Sequence, residues 1–339
     1  MLITKVIGTV TIASIIITGF GKAASANETQ NIEITADTEI RTSYEFNPHV
    51  YSPTIAQEIP QDYWDSFYNL CDALRNGEMT FECSSQEAYD WATDYIVLNN
   101  LFPAASCAIT NKTADGSANF ENGTGKICYT VPVEEFVEKE ASFERLIVNI
   151  LNYNLDTDDT EYERALKLYL YMTDNFEYSH DKDGYEPAVY GTFTSMRGVC
   201  IDFSSVYSYL LLQTGIDALT VGCSEYPIDH CWTYAVINGQ AYHIDTTWAL
   251  RTSNPGQEYT TLDYFMMSDA GRNADGCLVR DLTVQLLPQY WASRSSISFA
   301  ATDSSYNFRY ESKFISLDEE NKILTYADAD NEIHEFCYA

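Results

Sequence analysis

The chain is short of positive charge: 19 Lys and Arg stand against 50 Asp and Glu, a formal net charge of −31. A surface this acidic repels phosphates, which argues against a nucleic-acid binder and against docking on an anionic membrane. Glycine and proline are also scarce, 16 and 9 in 339 residues, so a fibre is excluded. Hydrophobic residues at 45% and aromatics at 14% exclude a disordered acidic chain. No CxxC pair and no HExxH occurs, so the common zinc patterns are missing. His230 beside Cys231 is not the spacing of a structural zinc site. No cofactor and no metal is expected.

What is present begins with a leader-like segment. Lys5 precedes an uncharged stretch from Val6 to Phe20, and Ala24-Ser25-Ala26 offers small residues for cleavage. Residues 1–26 are therefore expected to be a signal peptide, and the protein to be secreted, with no membrane insertion after cleavage. No later run is apolar enough to span a bilayer. Nine cysteines suit an oxidising compartment, and their odd number leaves at least one unpaired. Up to four bridges and one reserved thiol, Cys200, are expected. Cys107 could pair with Cys128, Cys223 could face Cys231 across a hairpin, and Cys277 and Cys337 could tie down the tail.

Hydrophobic spacing divides the remainder. Residues 27–55 are polar and aperiodic, a linker or wrapping arm. Residues 56–155 read as a mainly helical region. A helix is expected over 60–76, with Trp64, Phe67, Cys71 and Leu74 on one stripe. A second opens at Ser84 with Glu87 as a capping box and runs to about Asn99. Residues 104–131 read as two short strands around a loop, and Pro132 starts a further helix. Asp158 and Glu161 look like the cap of the next, which buries Ala165, Tyr169, Met172 and Phe176. The acids from Asp156 to Glu163 invite calcium, but they lack the EF-hand pattern and suit a helix N-terminus without a metal. Residues 156–270 form the expected α+β core, and residues 271–339 supply strands that complete or extend it.

Chemistry concentrates between residues 190 and 248. Cys200 stands in the first turn of a helix that reaches residue 213 or 214, where unpaired N–H groups and the helix dipole favour a thiolate. Gly198 permits a close backbone approach just before it. Three strands follow, at 217–223, 231–237 and 241–246, and Asn238-Gly239 joins the last two as a tight hairpin. That register places Asp245 diagonally across from His230, within reach of its ring. An acid beside a histidine orients the ring and stabilises its protonated form, which in turn stabilises a neighbouring thiolate. Other readings stand beside this one. Cys200 could belong to a disulfide, His243 also lies near Asp245, and Asp245 could merely cap the turn before Thr246-Thr247.

The ordered set Tyr190-Gly191, Arg197-Gly198-Val199-Cys200, Gly215-Ile216, His230-Cys231-Trp232-Thr233, Asn238-Gly239, Tyr242-His243-Ile244-Asp245 and Thr247-Trp248 resembles the transglutaminase-like superfamily. The stretch Asp263 to Asp269 resembles the segment that follows the core in many bacterial members. The resemblance spans roughly residues 160–270. It implies a papain-like fold, an active-site helix packed on an antiparallel sheet. It also implies Cys200 as nucleophile, His230 as base and Asp245 as orienting acid, with Trp232, Trp248 and Tyr190 lining a substrate cleft. Cys231, Thr233 and Thr246 depart from the usual residues at their positions without removing a catalytic atom, although a Cys200–Cys231 bridge would abolish activity. The implied activity is that of a bacterial secreted cysteine protease or amidase acting on a peptide or protein substrate. A crosslinking transglutaminase with an amine acyl acceptor, or a non-catalytic binding module, are the alternatives.

Overall fold

The computed structural model describes residues 43–180, 189–225, 228–252, 259–277, 279–287, 295–306 and 311–338. The expected signal peptide and the first part of the arm fall outside them. From residue 43 the arm does wrap. The side chain of Asn152 holds both backbone polar groups of Tyr44, Gln213 does the same for Asn47, and Ser52 and Thr54 donate to Asp217.

The N-terminal region carries α1 (Gln61–Arg75), β1 (Thr80–Glu82), α2 (Gln86–Ala92) and α3 (Tyr95–Leu101). Its expected second helix is in fact two. Ser85, not Ser84, caps α2 by accepting from the Ala88 N–H, and Asp94 restarts the chain by capping α3. A carboxylate that caps so well nine residues after the first cap outcompetes continuation of the helix. Residues 104–131 hold four short strands rather than two: β2 (Ile109–Thr110), β3 (Phe120–Glu121), β4 (Thr124–Lys126) and β5 (Cys128–Tyr129). They form two small sheets, β1-β4-β3 and β2-β5. Then come α4 (Val133–Asn154), with Pro132 at its N-cap, and α5 (Glu161–Asn175). Thr160 caps α5 with Glu163 closing the box, two residues beyond the expected pair. Asp159 is instead drawn to Lys167, which also reaches Glu319. An ammonium thus sits among the acids that suggested calcium.

The core follows: β6 (Glu177–Tyr178), α6 (Val189–Ser195), β7 (Arg197–Gly198), α7 (Cys200–Gln213), β8 (Asp217–Glu225), β9 (Ile228–Ile237) and β10 (Gln240–Ile244). Asn238 and Gly239 both adopt positive φ, as a two-residue hairpin turn requires, and Gln240 pairs with Ile237. The expected register therefore holds, and Asp245 lies just past the end of β10. After α8 (Asp269–Ala274), β11 (Thr283–Val284) adds to the edge of β8, giving an antiparallel sheet of order β10-β9-β8-β11. A separate sheet of β12 (Lys313–Asp318), β13 (Ile323–Ala327) and β14 (Ile333–Cys337) contains the expected hairpin and one further strand. The fold is α+β, with helices packed on antiparallel sheets.

The scaffold of the site is α7. From Phe203 to Gln213 every residue is buried, because β8 and β9 cover one side while α3, α5 and α6 cover the others. The buried serines of α7 are paired, Ser204 with the Ile201 carbonyl, Ser205 with Thr220 and Ser208 with Thr233. Each large side chain it buries contributes roughly 1.5–3 kcal/mol, so its first turn is held rigidly.

Candidate active site

Cys200 is the first residue of α7. The first bond of the helix runs from the Phe203 N–H to the Val199 carbonyl at 3.0 Å, so the Cys200 N–H has no acceptor inside the helix. The preceding turn is braced by Asp202, whose Oδ2 accepts the Val199 N–H at 3.0 Å. A Cβ at Gly198 would lie 2.9 Å from the Asp202 Cβ and 3.1 Å from the Thr192 Oγ1, so this brace needs a glycine there.

The Cys200 sulfur meets three donors. They are the Cys231 side chain, the His230 side chain and the Cys231 backbone N–H, each of which favours the thiolate. The Cys231 bond first, then His230 and its charge, hold Cys200 well below the ordinary thiol range although burial works against them. Cys231 moves the opposite way, raised chiefly by the same bond. The two thiols thus titrate as a pair, and His230 and its charge favour the anion on Cys200. Gly222 faces Cys231 across the β8–β9 pair, and a Cβ there would come within 2.9 Å of the Cys231 sulfur. Room for the second sulfur depends on this glycine.

His230 Nε2 bonds Asp245 Oδ2 at 2.7 Å, which leaves Nδ1 to serve the sulfur. Burial opposes a charge on the ring. The Asp245 charge, its hydrogen bond and the contact with Cys200 outweigh it, and the pKa is pushed up to about 9. Trp248 stacks on the imidazole, with centroids 4.7 Å apart and planes 13° from parallel.

Asp245 is fully buried and performs both roles considered for it. Its Oδ1 accepts from the N–H groups of Thr247 and Trp248 at 3.0 and 3.2 Å, capping the turn. Its Oδ2 serves His230 and also the Arg272 Nη2 at 2.8 Å. Burial alone would raise its pKa, yet His230 and Arg272 hold it below the usual carboxylate value.

Arg272 was not singled out from the sequence. It is fully buried on α8, with its guanidinium 4.6 Å from the Trp232 ring centroid and 4.3 Å from that of Trp248. It also donates to the Cys277 sulfur at 3.0 Å. A buried ion pair formed across 27 residues has no local pattern, so no periodicity or motif could have flagged it.

The structure therefore brings Cys200, His230, Asp245 and Trp248 together. Trp232 differs from expectation: at 1% exposure it is no cleft wall. It supports the site from beneath, stacked near Arg272 and donating to His243 Nδ1 at 2.9 Å. His243 spends its other nitrogen on Asp269 at 2.9 Å and is buried, a structural histidine. Tyr190 packs on Phe143 and under the Lys139 ammonium at 4.0 Å, so its described contacts are with α4 and not with the triad. All nine cysteines are free thiols here, in place of the expected bridges. Register is one reason. Cys223 lies opposite His230, and Cys231 opposite Gly222, so these two cysteines do not face each other. Cys277 contacts Cys223 and Arg272, not Cys337.

Residues 150–248 match the family model of the transglutaminase-like superfamily. Among solved structures the chain is similar to one from Cytophaga hutchinsonii described as a "putative cysteine protease", at 21% identity and a TM-score of 0.26. That match covers 32% of this chain and 37% of the other. No curated protein matches.

Proposed function

We propose, from a transglutaminase-like core over residues 150–248, that the chain is a secreted cysteine-dependent enzyme that hydrolyses peptide or related amide bonds. The observation that carries this reading is a helix-end cysteine beside an imidazole that is itself bonded to a buried carboxylate.

The reaction runs as follows. The Cys200 thiolate adds to the amide carbonyl carbon, and the resulting oxyanion is met by the Cys200 N–H, which the helix leaves unused. The His230 imidazolium gives its proton to the leaving nitrogen as the C–N bond breaks, and a thioester on Cys200 remains. His230, now neutral, takes a proton from water as the water attacks. The acid is released, and thiolate and imidazolium are restored. Asp245 keeps Nε2 protonated and the ring aligned throughout.

Water is favoured as the acceptor because Cys200 is partly exposed and its neighbours Ile201 and Tyr178 are 37% and 38% exposed. An extracellular location is supported by the leader-like residues 1–26 and is tested by sequencing the N-terminus of protein recovered from culture medium. The test of the activity is mass analysis of a peptide library incubated with the protein, with and without an added primary amine. Free acids formed by the wild type and not by Cys200→Ala support hydrolysis. Amine-substituted products would replace hydrolysis with transfer, and products that persist in Cys200→Ala would overturn the reading.

A further inference from the structure

Beside the triad lies a cavity of about 400 Å³, at the small end of ligand-site volumes. Trp248 belongs to both. Its ring stacks on His230, and it also lines this cavity with Tyr259 and Tyr264. Tyr264 meets the Trp248 ring edge-on at 5.6 Å. The polar lining is mostly acceptor. Asp263 and Glu311 contribute carboxylates, and Asp263 feels the charges of both Glu311 and Asp275. Ser312 also lines the cavity, with its hydroxyl buried inside the wall and without a hydrogen-bond partner. Lys313 is the one cation among the described lining residues, and its ammonium bonds Asn331 Oδ1 at 2.6 Å.

We infer that this cavity is a specificity subsite for the cationic side chain of a lysine or arginine in the substrate peptide. Aromatic rings attract a cation, and carboxylates pair with it. A neutral apolar side chain would leave these groups unpaired, and an acidic one would be repelled by Asp263 and Glu311. Tyr259 shows that a ring of this lining can hold a cation, since the Lys313 ammonium lies 4.9 Å from its centroid and is the charge a substrate cation must compete with. Trp248 lines the cavity and stacks on the imidazole, so the side chain the cavity accepts belongs to a residue near the scissile bond.

This inference deepens the proposed hydrolysis and rests on it, but its test does not need turnover. The binding of two acetylated, amidated peptides, identical except for lysine or norleucine, is measured by calorimetry on Cys200→Ala. The lysine peptide is expected to bind about fivefold to tenfold more tightly, the sum of one cation–π contact and one partly exposed ion pair. Asp263→Asn and Glu311→Gln should each reduce that preference, and Lys313→Met should enlarge it. Because Asp263 also accepts the Ser312 N–H at 2.8 Å, Glu311→Gln and Lys313→Met carry the test if Asp263→Asn does not fold. Equal binding of the two peptides, binding of neither, or a preference untouched by the charge changes would overturn the subsite. Hydrolysis of both peptides by the wild type at equal kcat/KM would then leave the thiol chemistry standing. A lysine preference in Cys200→Ala with no hydrolysis by the wild type would keep the subsite and remove the activity.

Discussion

Replacing Arg272 by methionine takes a guanidinium out of a site where neither it nor its partner Asp245 touches solvent. Two consequences follow, and they separate. Breaking a buried pair strands a carboxylate, at a cost of about 3–5 kcal/mol, which lowers Tm on the order of 10 °C in a chain of this size. The second consequence concerns His230. Arg272 and His230 bond the same oxygen, at 2.8 and 2.7 Å. Two such bonds put the charges on the order of 5 Å apart, where an effective dielectric near 20 makes their repulsion ~3 kcal/mol. That bounds the effect at about two pH units, and with solvent relaxation a rise of about one unit is expected in Arg272→Met. The assay is a pH titration of the imidazole signals by NMR, with His230 assigned from its disappearance in His230→Ala. In the wild type His230 should titrate near 9, far above the ordinary histidine value. Arg272→Lys keeps the charge but loses the flat contact with Trp232 and Trp248, so Tm should fall while the His230 titration stays in place. A purely packing role for Arg272 would lower Tm in both variants and move the titration in neither. That result, or a wild-type His230 titrating near 6.5, would refute the reasoning.

Cys231→Ala removes the thiol that titrates as a pair with Cys200, so the onset of Cys200 alkylation should move up by about one pH unit, read from rates of iodoacetamide labelling. Glu140 is buried on α4 with one oxygen unpartnered, and burial pushes its pKa up to about 8. A carboxyl raised in the folded state costs stability as pH climbs from the unfolded value near 4.5, about 3 kcal/mol by pH 7. Glu140→Gln should therefore raise Tm at pH 7–8 and have little effect at pH 4, measured by thermal unfolding at each pH. Glu163 behaves oppositely. Burial would raise its pKa, yet bonds from Lys322, Tyr338 and the Thr160 N–H lower it to about 2. Its contribution is complete above about pH 4.5 and is lost as pH falls toward 2. Glu163→Gln should lower Tm at pH 7 and flatten the acid limb of the Tm–pH curve.

The elements around the thiol were legible in the sequence because each had a local physical signature. Phe203, Val206, Leu210 and Thr214 at helical spacing, stopped by Gly215, marked a helix with Cys200 in its first turn. Asn238-Gly239 fixed a register that needed only counting to bring Asp245 to His230. Boundaries set by competition between caps were less legible. Ser85 and Asp94 each made a better side-chain bond than the Ser84-to-Asn99 helix could offer, and nothing in the spacing of apolar residues recorded that. Groups buried through long-range pairing left no trace. Arg272 looks like a surface residue until α8 folds it beneath Asp245, and Trp232 looks like a cleft wall until Arg272 and His243 cover it. The cysteines misled for a related reason. Their count suggested bridges, whereas strand register sets which sulfurs meet, and it brings Cys231 to Cys200 and Cys223 to Cys277.

The most direct measurement is the pH dependence of Cys200 alkylation by iodoacetamide in the unreduced protein, resolved peptide by peptide with mass spectrometry. Cys200 should be the first of the nine thiols modified, already reactive well below the ordinary thiol range because its thiol titrates at about 4. If Cys200 reacts only as the pH approaches 8–9, or is recovered bonded to Cys231, it is not the imidazole-paired thiolate on which the proposed chemistry depends.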